Sequence, residues 1–148
     1  MAKVLNKDIS FPPDIGIIIE KPELLPYLSG LENLKLLAEI RNIISYDDIK
    51  HYMDKFGLNF NSKQIVKKYS LGMKQKLGII QAIMEDPSLL LLDEPFNALD
   101  AESVDILRSI LLQYKEQGKL IILTSHHQED IMSVCNQVIH LQDGCILN

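Results

Sequence analysis

The segment Leu89-Leu90-Leu91-Leu92-Asp93-Glu94-Pro95 decides the fold of this chain. Four consecutive leucines are typical of a buried strand, and a parallel sheet places the carboxyl ends of its strands at a ligand-binding edge. Of the two acids that end the strand, Asp93 is suited to hold Mg²⁺ directly or through water. Glu94 is suited to orient and polarise an attacking water. The alternative is a strand that simply ends in a solvated acidic turn.

Strands and helices alternate on the carboxyl side of this segment. Residues 120–123 form a second apolar run, and Asp100 is expected to cap an intervening helix that ends at Gly118. A further helix is expected over Gln128–Val134, followed by a hairpin that turns at Asp143-Gly144. Such alternation predicts a parallel sheet with crossover helices, which is an α/β fold.

The amino-terminal side contains another strand and then a helical stretch. Residues 15–19 are almost entirely β-branched, which predicts a strand buried on both faces, and residues 1–11 are expected to form a short strand and turn. Residues 29–84 are predicted to form three helices, because apolar residues follow at helical spacing after three capping residues. These capping residues are Ser29, Ser45 and Ser70.

The composition is that of one globular domain. The chain has 148 residues, of which 47% are apolar, and its net charge of −5 gives no electrostatic reason to expect nucleic acid as a partner. Cys135 and Cys145 are not in a CxxC pair and fit a reducing compartment. No run approaches the ~18 apolar residues of a membrane span, so any membrane link is expected to come through a partner.

A helix start upstream of the leucine strand offers a candidate anion site. The segment 69–76 reads YSLGMKQK. Ser70 provides a hydroxyl, Gly72 permits close backbone approach, and the helix start provides free N–H groups, which together can bind an anion. The alternative is an ordinary helix cap, which is the commoner meaning of this pattern on its own.

The second apolar strand ends in Leu123-Thr124-Ser125-His126. A histidine there can hydrogen-bond a phosphate or an attacking water, as a sensor rather than as a base. A lone histidine at a strand end is more often structural, and the neighbouring His127 blurs the choice. A metal site formed by the two histidines is disfavoured, because successive residues point apart and no further ligands accompany them.

The order and spacing of these segments resemble the ABC ATPase family from about Ile15 to the C-terminus. Residues 69–75 resemble its LSGGQ signature, and residues 89–95 resemble its Walker B strand with the catalytic glutamate. Residues 97–100 resemble its D-loop, and His126 stands where the switch histidine of the family is expected. Four motifs in this order make a chance match very improbable.

Two features depart from the usual pattern of the family. Leu71 and Met73 replace a glycine and a glutamine of the signature, and Glu20 stands where the Q-loop has a glutamine. Both variants are similar to those of bacitracin- and lantibiotic-type exporter ATPases.

The sequence contains no GxxxxGK[ST] phosphate loop, since Gly118-Lys119 is followed by Leu120. In the family this loop precedes the Q-loop and holds the β- and γ-phosphates through backbone N–H groups and a lysine. The chain is therefore expected to be a truncated product or a naturally reduced relative, with little ATPase activity of its own.

The resemblance implies a partial P-loop NTPase (RecA-like) fold, an α/β parallel sheet with a helical signature subdomain. Residues 1–28 would supply the first strand and Q-loop of the core. Residues 29–84 would form the helical subdomain, and residues 85–148 the carboxyl-terminal core with Walker B, D-loop and switch histidine.

The resemblance also implies the cofactors ATP and Mg²⁺ and roles for single residues toward them. Asp93 would take Mg²⁺, and Glu94 would act as the catalytic residue on the water. The second catalytic residue would be His126, which would face the γ-phosphate region together with Glu20.

Two protein partners follow from the same resemblance. In a dimer with ATP between the subunits, four signature residues would act on the nucleotide of the second ATPase subunit, namely Ser70, Gly72, Lys74 and Gln75. Asp100 would link the two sites across the dimer. The helical stretch and the loop after Glu20 would dock on a transmembrane permease subunit, which would keep the chain in the cytoplasm at the inner face of the membrane.

The function implied is the ATP-hydrolysing motor of an ABC membrane transporter, here an exporter, with peptide antibiotics as a candidate cargo. One alternative is a non-catalytic interaction fragment that keeps the signature and the docking surfaces. Another is a non-transporter ABC ATPase, as in DNA repair or translation. Such proteins usually have coiled-coil insertions or tandem domains, and neither is visible in this sequence.

Overall fold

The computed structural model describes Pro12, residues 14–19 and residues 22–147. The strand expected within residues 1–11 and the Q-loop position Glu20 lie outside the described residues.

Three helices form where the serine caps predict them: α1 (Gly30–Arg41), α2 (Tyr46–Lys55) and α3 (Leu71–Ile83). Ser29 and Ser45 each close a capping box with the acid three residues later, so the first free N–H groups of α1 and α2 are satisfied locally. A short 3-10 turn at Val66–Lys68 leads into α3.

The apolar faces of these helices meet in a buried core. Residues with at most 2% exposure occur on all three helices: Leu34, Ala38, Ile49, Met53, Leu77, Ile79, Ile80 and Ile83. The periodic residues of the sequence therefore lie on the faces that the spacing predicts.

The sheet has three parallel strands, β1 (Ile15–Ile18), β2 (Leu89–Asp93) and β3 (Leu120–Thr124), in the order β1-β2-β3. Helix α3 packs against β1, and a Cβ at Gly16 would lie 1.9 Å from the carbonyl oxygen of Ala82. Glycine is required at this position because the helix backbone lies directly on the strand.

One face of the sheet is more exposed than the sequence predicts. Leu90 and Leu92 are buried, whereas Leu120 is 59% exposed and Ile122 54% exposed. The prediction that residues 15–19 form a strand buried on both faces is wrong, since Ile19 lies beyond β1 and is 65% exposed. A continuous apolar run does not reveal which faces have a covering layer.

The remaining elements follow the predicted order. Helix α4 (Ala101–Glu116) packs against β3, and the short helix α5 (Gln128–Val134) packs against α4. Strands β4 (His140–Gln142) and β5 (Cys145–Leu147) form an antiparallel hairpin.

The turn of this hairpin is the one that its sequence predicts. Asp143 and Gly144 both have positive φ, 50° and 76°, as a two-residue type I′ turn requires. Within the part of the chain that the structure describes, no helix is both long and apolar enough to span a membrane. The division into segments 1–28, 29–84 and 85–148 stays a prediction.

Candidate functional site

The carboxyl ends of β2 and β3 bring the acidic pair and the histidine segment together. The parallel register places Asp93 directly opposite Thr124, so Glu94 follows one strand where Ser125 and His126 follow the other. This is the sheet edge at which the alternating strand and helix pattern predicts a ligand site.

The peptide of Glu94 is held in a left-handed conformation. Its φ is 48°, a region that costs an ordinary residue about 1–2 kcal/mol. The Glu94 N–H donates to both the carbonyl oxygen and the Oγ1 of Thr124, at 3.2 Å and 3.1 Å. The Thr124 hydroxyl in turn donates to Oδ1 of Asp93 at 2.5 Å. One threonine thus links the two acids.

His126 lies against the side chain of Glu94. Its Nε2 is 3.2 Å from Oε1 of Glu94, a contact that becomes an ion pair when the imidazole is protonated. The histidine is 91% exposed and Glu94 only 20% exposed, so the imidazole approaches the carboxylate from the solvent side. The backbone N–H of His127 donates to Oγ of Ser125 at 3.1 Å, at the position where α5 begins. The residues described contain no cluster of three metal-ligating side chains.

The signature segment forms the exposed start of α3. Ser70 accepts the N–H of Met73 at 3.2 Å, which is the N-cap role, and Leu71 is 61% exposed beside it. A Cβ at Gly72 would lie 2.6 Å from the carbonyl oxygen of Ala98. The glycine is therefore required by the loop of its own chain, whatever else binds there.

Two further signature residues, Lys74 and Gln75, differ in how deeply they are buried. Lys74 is partly buried on α3. Gln75 is only 6% exposed, and its Nε2 donates to the carbonyl oxygens of Glu94 and Pro95 at 3.4 Å and 3.2 Å. The amide of Gln75 is thus turned into its own chain, and the cofactor-binding role that the resemblance implies for this residue stays a prediction.

Asp100 joins two helices. Its carboxylate caps α4 by accepting the N–H of Ser103 at 2.9 Å, and Oδ2 lies 2.6 Å from Nζ of Lys76 on α3. The Lys76 ammonium, together with the Ser103 N–H, holds the pKa of Asp100 well below its usual range.

Thr124 and Lys76 are the site residues to which the sequence assigns no role. Both stand inside segments that the motifs already mark. The role of Thr124 follows from the pairing of the two parallel strands. Thr124 is the last residue of β3 and lies directly opposite Asp93, the last residue of β2.

A separate cleft of about 550 Å³ opens between the end of β1 and α3. It is lined by Ile17, Ile18, Ile19, Pro22, Glu23, Gly78 and Gln81. The Oε1 atom of Gln81 is buried and has no hydrogen-bond partner among the described residues. None of the acidic pair or the histidine lines this cleft.

Comparison with known proteins agrees with the order of these motifs. The sequence profile of the family described as ABC transporter matches residues 3–97. The chain is 51% identical over 141 residues to the ABC transporter ATP-binding protein YybJ of Bacillus subtilis (strain 168), covering 95% of this chain and 64% of that protein.

Two relatives carry the name of a transported compound. The chain is 37% identical over 131 residues to the bacitracin transport ATP-binding protein BcrA of Enterococcus faecalis, covering 88% of this chain and 42% of that protein. It is 36% identical over 133 residues to the lantibiotic transport ATP-binding protein SrtF of Streptococcus pyogenes, covering 90% of this chain and 58% of that protein.

The fold agrees with solved structures. The ATP-binding subunit of an ABC transporter superposes with a TM-score of 0.78 at 27% identity, covering 88% of this chain and 56% of that one. The ATP-binding cassette MJ0796, a dimer bound to ADP and Pi, superposes with a TM-score of 0.75 at 23% identity, covering 91% and 61%. The chain thus spans about 40–65% of the length of these proteins. It belongs to the ABC ATPase family, the ATP-binding proteins of ABC transporters.

Proposed function

We propose that this chain is part of the ATP-hydrolysing motor of an ABC exporter, with its hydrolytic centre at Asp93, Glu94 and His126. The observation that carries the proposal is the 3.2 Å contact between Nε2 of His126 and Oε1 of Glu94, next to the strand-end acid Asp93. Three groups suited to metal, water and phosphate thereby lie at one sheet edge.

The residues at this edge fit Mg²⁺ bound together with a nucleotide. Mg²⁺ prefers oxygen ligands and is usually held by one or two carboxylates plus substrate phosphates. Asp93 supplies a carboxylate that is partly exposed and oriented by the hydroxyl of Thr124. When bound, Mg²⁺ would neutralise developing charge on the phosphates.

The carboxylate of Glu94 is suited to orient a water. It is mostly shielded from solvent and is fixed through its backbone, so an attacking water would meet a pre-positioned acceptor. When both ring nitrogens of His126 carry a proton, Nδ1 can donate a hydrogen bond to a phosphate oxygen while Nε2 keeps its contact with Glu94. Catalysis in phosphoryl transfer is mostly such positioning and electrostatic stabilisation.

The 148 residues alone are proposed to bind ATP weakly and to hydrolyse almost none. The supporting observation is that the sequence contains no GxxxxGK[ST] segment to hold the β- and γ-phosphates. On its own, the chain would then act as an interaction fragment. It would present helix α3, which begins with the signature residues, together with the docking surfaces.

The test compares two proteins in an ATPase assay with Mg²⁺. One is this chain, and the other is a hybrid with a phosphate-loop segment of the ABC family joined ahead of Met1. We expect turnover only from the hybrid. The proposal for the isolated chain is overturned if it hydrolyses ATP as fast as the hybrid and loses that activity in Glu94→Gln.

The partners proposed are a second ATPase subunit and a transmembrane permease. The exposed start of α3, with Ser70 and Leu71, supports a contact in trans with the nucleotide of another subunit. The cleft beside Pro22 and Glu23 supports a permease contact, because its lining includes Ile19, an apolar side chain that is 65% exposed. A permease partner would hold the chain at the cytoplasmic face of the membrane.

The class of cargo proposed is a peptide antibiotic. The support is the similarity to ATP-binding proteins named for bacitracin and lantibiotic transport, at 37% and 36% identity.

A further inference from the structure

We propose that Gln75 and Thr124 are positioning residues that hold the peptide of Glu94 from both sides. The inference rests on the proposed function of Glu94. It starts from the left-handed backbone of that residue, whose φ is 48°. A glutamate rarely adopts this conformation unless its surroundings determine it.

The amino side of this peptide is held from β3. The N–H of Glu94 donates to two oxygens of Thr124, and the Thr124 hydroxyl donates a hydrogen bond to Oδ1 of Asp93. The hydroxyl can accept from one residue and donate to the other at once. Hydrogen bonds in such a chain strengthen one another, so the carboxylate of Asp93 is coupled to the backbone of Glu94.

The carbonyl side is held from α3. The two hydrogens of Nε2 of Gln75 can serve the carbonyl oxygens of Glu94 and Pro95 together, at 3.4 Å and 3.2 Å. The Glu94 carbonyl also accepts the N–H of Asn97 at 3.2 Å. Since Gln75 is 6% exposed, water cannot readily replace its amide.

These hydrogen bonds link helix α3, which begins with the signature residues, directly to the backbone of Glu94 in the same chain. Gln75 lies five residues after Ser70 on the helix that starts with the signature. A shift of α3 would therefore be transmitted to the backbone of Glu94, and through it to the carboxylate beside His126. Displacing a catalytic group by about 1 Å can lower a rate by about 10²-fold.

The first experiment measures amide hydrogen exchange by NMR in the 148-residue chain. In Gln75→Met, which removes both donors at similar volume, we expect exchange of the Asn97 amide to accelerate by about tenfold or more. The amides of Ile79 and Ile80 in α3 should keep their rates. The matched control is Gln113→Met, an exposed glutamine on α4. Unchanged exchange at Asn97, or equal acceleration throughout α3, would overturn the inference.

A second pair of variants tests the link from β3. Thr124→Ser keeps the hydroxyl and should keep the exchange rate of the Glu94 amide. Thr124→Val keeps the shape and the backbone acceptor but removes Oγ1, and should accelerate this exchange severalfold. Equal rates in the two variants would contradict a role for the hydroxyl.

The third experiment measures turnover in the hybrid that contains a phosphate loop. Gln75→Met should lower kcat about tenfold with little change in KM, and should have no further effect in the Glu94→Gln background, since it acts through Glu94. Equal losses in both backgrounds would indicate a merely structural role. A hybrid that needs Glu94 but tolerates Gln75→Met overturns the positioning role alone, whereas normal turnover in Glu94→Gln overturns the proposed function.

Discussion

Gly72 lies against the backbone of the loop that follows Asp93 and Glu94. A Cβ added there would meet the carbonyl oxygen of Ala98 at 2.6 Å, and Ala98 itself has a φ of 60°. A backbone atom in an already constrained loop cannot move aside as a flexible side chain would. The glycine therefore fixes how closely the signature helix approaches this loop.

For Gly72→Ala, the sign of the change in the free energy of unfolding distinguishes two opposing effects. Helix propensity alone would stabilise the chain by about 0.5–1 kcal/mol. The clash with Ala98 should instead destabilise it by about 1–3 kcal/mol, the usual range for overpacking. The denaturation midpoint in urea distinguishes the two, and an increase in the midpoint would contradict the close approach seen in the structure.

Individual residues of the site differ in how readily the sequence predicts them. Asp93, Glu94 and His126 are predictable because they directly follow apolar strands, and parallel strands end at one edge. The hydrogen bonds of Thr124 depend on register and those of Gln75 on how α3 packs, so neither can be read from its own segment.

At the scale of elements, local signals predict the helices well and the exposure of the strands poorly. Ser29, Ser45 and Ser70 cap α1, α2 and α3, because a side-chain oxygen that accepts a free N–H acts within four residues. Whether a strand is covered depends instead on elements distant in sequence. The runs at 15–19 and 120–123 are equally apolar, but Leu120 and Ile122 lie on an open face.

The ion pair between Lys76 and Asp100 joins α3 to α4 and gives a pH prediction. Because the folded-state pKa of Asp100 is lowered, its stabilisation is complete above the ordinary value of about 3.9 and is lost as the pH falls below it. Asp100→Asn should therefore destabilise the chain at pH 7, by at most about 1 kcal/mol since the side chain is 56% exposed.

The measurement is urea denaturation of the chain and of Asp100→Asn at pH 7 and near pH 3. The difference between the two should shrink at the lower pH. Glu102→Gln, an exposed acid in the first turn of the same helix, is the control and should show a smaller change. A difference that stays constant with pH would contradict the ion pair.

On the scale of the whole molecule, the sheet leaves apolar surface open. In the described part of the chain, β1 and β3 each pair only with β2, and Leu120 and Ile122 are more than half exposed. Unpaired edges and exposed apolar residues favour association with another chain. Burial of one such side chain contributes about 1.5–3 kcal/mol, a large fraction of a net stability of about 5–15 kcal/mol.

We therefore predict that the 148-residue chain is marginally stable and self-associates through the open face and edge of β3. Light scattering should show a mass that rises with concentration. Ile122→Lys, which places a charge on the open face, should reduce this association. Ile40→Lys is the matched control, since Ile40 is 78% exposed but lies on α1.

A monodisperse monomer with a steep, high-stability unfolding transition would contradict this prediction. So would equal effects of the two lysine variants, because the association would then not depend on β3.

ATP hydrolysis is the activity proposed for the edge formed by Asp93, Glu94 and His126. The most direct measurement compares turnover and ATP binding in the phosphate-loop hybrid with those of Glu94→Gln, His126→Ala and His127→Ala. Glu94→Gln should lower turnover by ~10² or more while ATP still binds, because the water loses its orienting carboxylate. His126→Ala should also impair turnover, and His127→Ala should be mild. Full turnover in Glu94→Gln, or a greater loss in His127→Ala than in His126→Ala, would contradict the roles proposed for Glu94 and His126.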